Sequence, residues 1–351
     1  MEGKQKEYKA HVEELMGRVQ PMTGYRDTFV SHCKDFGKRI STGILGLDRA
    51  LNGGLANELY IMGAETSTGK SAFMMSIAQK VAEAGTDVLY FALEMGRDEF
   101  VARGVSAISY EHSREDESVK PLTAANILYW TYSETLGDFA KIPYSRYGDF
   151  ANEYFDRYGA HLHIVEGGTA GLTAKDIANV SALFKKRSKG PVAVFVDYLQ
   201  IIKADPEDRT QADRKTKTDV TVITLKTLAS QVGMPVFVAS SVGRAAYSSK
   251  VSLASYKESG DTEFTGGVML GWNWHGVTDE PDDVKRSAEK AECRDRGYRN
   301  MHLDVLKYRN SERDSTLHLR YYPAYNFFEE DTGGRISTGA GRKKDRVVVK
   351  A

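Results

Sequence analysis

From Arg39 onward, short unbroken apolar runs alternate with segments whose apolar residues recur every three or four positions. The runs fall at residues 59–62, 88–92, 162–165, 192–196, 236–239 and 268–270, and the helical periods at 71–84, 174–186 and 220–232. A strand covered on both faces needs apolar residues at every position, whereas a helix lying on a sheet needs them on one stripe only. The alternation therefore predicts an α/β fold with a mostly parallel central sheet and helices on both faces. Near the end, residues 301–306 and 316–322 flank a polar stretch at 310–314, which predicts an antiparallel hairpin. Residues 111–155 are longer than a crossover requires and predict a helical excursion.

The two ends read differently. Tyr8, Val12, Leu15, Met16 and Val19 fall at helical spacing in a charged segment, and Pro21 and Gly24 follow. They predict a short amphipathic helix, either folded back on its own domain or docked on a neighbouring subunit. From Gly333 the chain is rich in Gly, Lys and Arg without apolar period, the pattern of a flexible basic tail. Three parts result: residues 1–37, a motor-sized domain at 38–330, and a tail at 331–351.

Composition narrows the choices. Forty-eight basic and 48 acidic residues cancel among 351, so any contact with nucleic acid must use a local patch. Two cysteines, Cys33 and Cys293, exclude a disulfide framework and a cysteine-based zinc ribbon, and fit a reducing cytosol. With no run of 18 apolar residues and no signal-peptide core, a cytoplasmic protein without a membrane segment is expected.

The strongest chemical signal is Ala64-Glu65-Thr66-Ser67-Thr68-Gly69-Lys70-Ser71, placed after one predicted strand and opening a predicted helix. This is the context a phosphate-binding loop requires. Backbone N–H groups cradle phosphates, Lys70 reaches the β- and γ-oxygens, and the Ser71 hydroxyl ligates Mg²⁺. ATP and Mg²⁺ are the expected cofactors. Ala64 stands at the usual first glycine, with Gly63 just before it. Two further carboxylates end apolar strands: Asp197, a partner for the Mg²⁺, and Glu94, a base to orient the attacking water.

In order and spacing, several strings resemble the motor domain of DnaB-type hexameric replicative helicases. They are Ser41-Thr42-Gly43-Ile44-Leu45-Gly46-Leu47-Asp48 with Gly53-Gly54, Phe91-Ala92-Leu93-Glu94-Met95, and Asp197-Tyr198-Leu199-Gln200. Ser240-Ser241-Val242-Gly243-Arg244, Lys257-Glu258-Ser259-Gly260 and Lys307-Tyr308-Arg309-Asn310 continue the series. The resemblance runs from about Arg39 to Phe328 and implies a RecA-like P-loop NTPase acting as a helicase on single-stranded DNA. It implies Glu94 as catalytic glutamate and Asp197 as the metal-associated aspartate. Gln200 would sense the γ-phosphate or couple it to the DNA loops. Lys307 and Arg309 would reach the neighbouring subunit's nucleotide, with Arg309 as the finger. Lys257, Glu258 and Gly260 would grip the DNA backbone, with Arg244 on the preceding loop. A homo-oligomeric, hexameric ring is the implied assembly, with a primase or helicase loader as partner.

Two departures stand out. Ser241 occupies a position where the family usually has Gln, and residues 1–37 stand where the family carries a helical collar. A regulatory or clock-type ATPase and a slowly hydrolysing nucleotide-gated scaffold are the competing readings. His161 and His163 alternate on a predicted strand as structural residues, and none of the eight His shows a familiar metal-binding spacing. Trp272 and Trp274 are expected just beyond a strand as packing residues. The aromatic run 321–328 is expected to close the core with a strand and turn.

Overall fold

A computed structural model describes residues 2–17, 19, 21–36, 38–129, 144–168, 171–207, 214–243, 247, 249–259, 267–308 and 315–331. The chain divides into two compact units, Met1–Arg39 and Ile40–Ala351.

The smaller unit holds α1 (Glu2–Met16), a 3-10 turn at Met22–Tyr25, and α2 (Arg26–Phe36). Two expectations need correction. The helix ends at Gly17, whose flexible backbone terminates it, so Val19 of the apolar stripe lies outside α1. A second helix follows, which the weak propensities of Thr28, Val30, Ser31 and His32 concealed. Tyr8, Met16, Val19, Met22 and Phe29 are all exposed.

The larger unit is built on a nine-stranded sheet in the order β3-β2-β4-β5-β1-β6-β7-β8-β9. Its strands are β1 (Leu59–Ala64), β2 (Asp87–Ala92), β3 (Leu162–Glu166), β4 (Val192–Asp197), β5 (Val236–Ser241) and β6 (Val268–Trp274). These six pair in parallel, as their apolar runs require. β7 (Arg299–Tyr308), β8 (Thr316–Tyr322) and β9 (Phe327–Glu330) extend the sheet antiparallel, so the predicted hairpin is present.

β6 is longer than expected and includes both tryptophans. Gly271 and Asn273 interrupt its apolar run, but the Asn273 amide is satisfied in the interior. It donates to Asp304 at 2.8 Å and accepts from the Val251 N–H at 2.8 Å. Trp272 is fully buried and stacks on Phe73 at 4.4 Å, the packing role expected of it.

The remaining helices of the described residues are α3 (Leu45–Ala50), α4 (Lys70–Glu83), α5 (Arg97–Glu115), α6 (Ala124–Leu128), α7 (Tyr144–Tyr158), α8 (Ala174–Arg187), α9 (Arg214–Thr227) and α10 (Asp283–Arg296). One face of the sheet is closed by α3 and α4, which bury Leu47, Phe73, Met74 and Ile77. The other is closed by α8 and α9 with Ile177, Val222 and Leu225. The excursion contributes α5, α6 and α7, which form a separate cluster around Val105, Ile108, Leu122, Phe150 and Tyr154. No helix among the described residues is long and apolar enough to cross a membrane.

Candidate nucleotide site

Parallel pairing brings the C-terminal ends of β1, β2, β4 and β5 to one edge of the sheet, and the sequence places chemistry at each. After β1, the loop 64–69 turns sharply into α4. Gly69 makes the turn at φ +92°, where a Cβ would lie 2.6 Å from the Tyr321 ring. Ser67 also adopts a positive φ, 62°. The loop is pinned from within by the Thr68 hydroxyl, which donates to Glu65 O at 2.7 Å. From β6 the Trp272 indole N–H donates to Thr68 O at 3.1 Å. From β7, Arg299 donates to Ser67 O at 3.0 Å. These donors fix the loop's carbonyls outward, leaving its amides to face an anion.

A cleft of about 590 Å³ opens above this loop, and Lys70, Ser71 and Glu94 line it. Lys70 is 8% exposed, with its Nζ 4.1 Å from the Tyr198 ring centre and 3.5 Å from Ser241 Oγ. Burial pushes its ammonium below the ordinary lysine value, while Asp197 and then Glu94 pull it back. The Ser71 hydroxyl donates to Asp197 Oδ1 at 3.1 Å, and the Tyr90 hydroxyl donates to Oδ2 at 3.3 Å. Burial raises the Asp197 carboxyl, opposed by Lys70 and the two hydroxyls. A buried carboxylate against a serine hydroxyl, facing a cleft, is a donor set that suits a hard divalent cation. Glu94 follows β2 and is exposed in the cleft.

Gln200 is placed elsewhere. It spans the ends of β4 and β5, donating to Ser240 Oγ at 2.9 Å and Ser241 O at 3.0 Å while accepting from Ser241 N at 3.0 Å. Its amide therefore grips the backbone of the residue whose hydroxyl meets Lys70. Ser241, the departure noted in the sequence, thus stands between Lys70 and Gln200.

Lys307 lies at the other end of the sheet. It pairs with Met269, which pairs with Ile61, and Tyr308 is level with Tyr60 in the same way. At about 3.3 Å per residue, the end of β7 falls roughly 13 Å short of Ala64 along the strands. Lys307 does not line the cleft. Lys257 and Glu258 occupy the 3-10 helix Leu253–Ser259, whose Tyr256 is buried against β1. Arg244, Gly260 and Arg309 lie outside the described residues, as does the expected tail from 332 onward.

The geometry adds residues that sequence reasoning missed. Arg299 stacks at 4.1 Å over Trp274 and lines the cleft with Arg103, Tyr198 and Tyr321. Desolvation lowers the Arg299 guanidinium from its ordinary value. Arg103 is held by Glu99, one turn earlier on α5, at 2.5 Å. Tyr198 was adjacent to Asp197 and legible by position. Arg299 and Tyr321 carry no local signal, being more than 200 residues from the loop they touch.

A family model described as the DnaB-like helicase C terminal domain matches residues 39–122 and 150–330. The chain belongs to this family. It is 28% identical over 232 residues to the replicative DNA helicase DnaB of Treponema pallidum, covering 66% of this chain and 47% of that protein. It is 27% identical over 228 residues to the replicative DNA helicase DnaC of Bacillus subtilis, covering 64% and 44%. The chain thus spans less than half the length of these relatives. Among solved structures, an ATPase domain determined by itself is similar with a TM-score of 0.67 at 18% identity, covering 88% of this chain and 98% of that one. A DnaB-like replicative helicase studied with primase gives a TM-score of 0.65 at 19% identity, covering 92% and 70%. The RecA-like α/β fold expected from the sequence is the fold of this domain.

Proposed function

We propose that this chain is an ATP-hydrolysing motor that travels on single-stranded DNA as a replicative-type helicase. The observation that carries the proposal is the convergence of Lys70, Ser71, Asp197 and Glu94 on one cleft, each from a different strand end or the helix that follows it. In this reading the amides of 65–71 and the Lys70 ammonium hold the triphosphate. Ser71 and Asp197 would hold Mg²⁺, which supplies charge neutralisation at the phosphates. Glu94 orients the attacking water and accepts its proton. Lys70, now parked against Tyr198 and Ser241, leaves those partners for phosphate oxygens.

The position of β7 supports a site completed by a second subunit. Lys307 stands at the end of the sheet away from the chain's own loop, so its charge serves a neighbouring copy better than its own. Arg309, two residues further along the sequence, is assigned to the same neighbour. A hexameric ring satisfies this geometry, with the exposed apolar side chains of residues 8–30 docking on a neighbour. Lys257, Glu258 and Gly260, with Arg244, contact the DNA backbone without reading sequence. A primase or helicase loader is the further partner. The test is ATP turnover with and without single-stranded DNA. Strong stimulation is the expected result, and turnover indifferent to DNA would overturn the motor reading.

A further inference from the structure

Away from the nucleotide cleft, on the antiparallel side of the sheet, three side chains converge that nothing in the helicase chemistry uses. His302 lies on β7, and His275 and Asp279 lie on the turn that follows β6. Their ligand atoms all lie within 4.8 Å of one another, and they form the one such group of His, Cys, Asp or Glu among the described residues.

The turn that carries two of them is held by its own hydrogen bonds. The His275 N–H donates across to Asn300 O on β7 at 3.0 Å, and the Trp274 N–H donates to the Thr278 hydroxyl at 2.9 Å. Gly276, at φ +72°, donates its N–H to Asp279 Oδ1 at 2.6 Å. One carboxylate oxygen is thus spent on the turn. The other, Oδ2, faces His275 Nδ1 at 2.9 Å. The His275 and His302 rings are 4.5 Å apart and nearly parallel, and His318, paired with His302 across to β8, stands edge-on at 4.4 Å.

We propose that His275, Asp279 and His302 form a binding site for a divalent transition-metal ion of the zinc type. Two imidazoles and a carboxylate select borderline ions such as Zn²⁺ over Mg²⁺ or Ca²⁺, which prefer oxygen alone. Metal–nitrogen and metal–oxygen bonds of about 2.0–2.2 Å place tetrahedral ligand atoms roughly 3.3–3.6 Å apart. The observed spread closes to that by side-chain adjustment, without moving the turn. The ion would clamp the turn after β6 to β7, three residues from Arg299. The cluster formed by His161, His163 and Asp87 offers a contrast: His163 stands 3.9 Å from Asp87 and that trio does not converge as this one does.

The test uses the untagged full chain, stripped with chelator and titrated with zinc chloride by calorimetry. One equivalent per chain is expected, with no comparable heat from magnesium chloride. His275→Ala and Asp279→Asn should each weaken zinc affinity at least about tenfold, while His161→Ala should leave it unchanged. Because His275 is exposed, His275→Ala is expected to melt, metal-free, at the wild-type temperature. Cobalt(II) loading should give tetrahedral visible bands without a thiolate charge-transfer band, and His275→Ala should abolish them. Absence of a zinc-binding equivalent, an affinity unmoved by His275→Ala and Asp279→Asn, or a thiolate band would each overturn the assignment.

Discussion

Tyr256 is the side chain whose removal tests most directly how the nucleotide loop is tied to the proposed DNA-contacting segment. It lies one residue before Lys257, yet its ring is buried and its hydroxyl reaches into the sheet. The hydroxyl accepts from the Gly63 N–H at 2.6 Å and donates to Leu270 O at 2.6 Å. Gly63 immediately precedes the phosphate-binding loop, and its missing side chain makes room, since a Cβ there would lie 2.4 Å from the Tyr256 oxygen. Burial raises the phenol far above its ordinary range, so the group is neutral and able to donate at any working pH.

Tyr256→Phe keeps the ring and its apolar burial and removes only the oxygen. Two buried polar groups then lose this partner, and each unsatisfied group costs about 1–3 kcal/mol. The sheet ladder offsets part of this, so we expect a loss of about 2 kcal/mol. At roughly 2–4 °C per kcal/mol for a domain of this size, the melting temperature should fall by several degrees in a thermal scan. DNA-stimulated ATP turnover should fall further than unstimulated turnover, because the anchor of the Lys257 segment is loosened. A melting temperature within a degree of wild type, with stimulation intact, would refute the reasoning.

Three further outcomes are expected. Glu94→Gln should retain ATP binding and lose turnover by at least about a hundredfold, read by equilibrium binding alongside phosphate release; wild-type turnover would remove Glu94 from the proposed mechanism. Arg309→Ala mixed with Lys70→Ala should regain part of the activity each lacks alone, measured in verified mixed oligomers, because an intact loop then meets an intact finger; no regain is expected if Arg309 acts within its own chain. Lys257→Ala should weaken binding to single strands of any sequence and flatten the salt dependence by about 0.7 in log–log slope per lost phosphate contact; a loss confined to particular sequences would contradict backbone tracking.

The fold was legible where the physics is local. Leu59, Tyr60, Ile61 and Met62 had to form a strand buried on both faces, because nothing in that run can face water. Gly69-Lys70-Ser71 after such a strand had to open a phosphate-binding turn, because a short glycine-bearing loop leaves its amides exposed at a helix start. Asp197 and Glu94 could be read because parallel strands deliver their last residues to one edge. Sequence therefore determined the class of fold, the loop and its carboxylates.

What the sequence could not contain is the meeting of distant residues. β6 was read short because Asn273 looks like a strand end, and only its bonds to Asp304 and Val251 make it an interior residue. Gln200 could be placed near the nucleotide but not on the Ser241 backbone, since that depends on β4 and β5 being neighbours. Arg299, Tyr321 and Tyr256 gave no signal, because each acts across about 200 residues of chain through contacts that exist only once the sheet is assembled. The same holds for His275 and His302, whose spacing matches no metal motif but whose strands are adjacent. Periodicity and motif spacing report what a residue does with its near neighbours in the chain; strand order decides which distant side chains share a site, and that order is set by how the whole core packs.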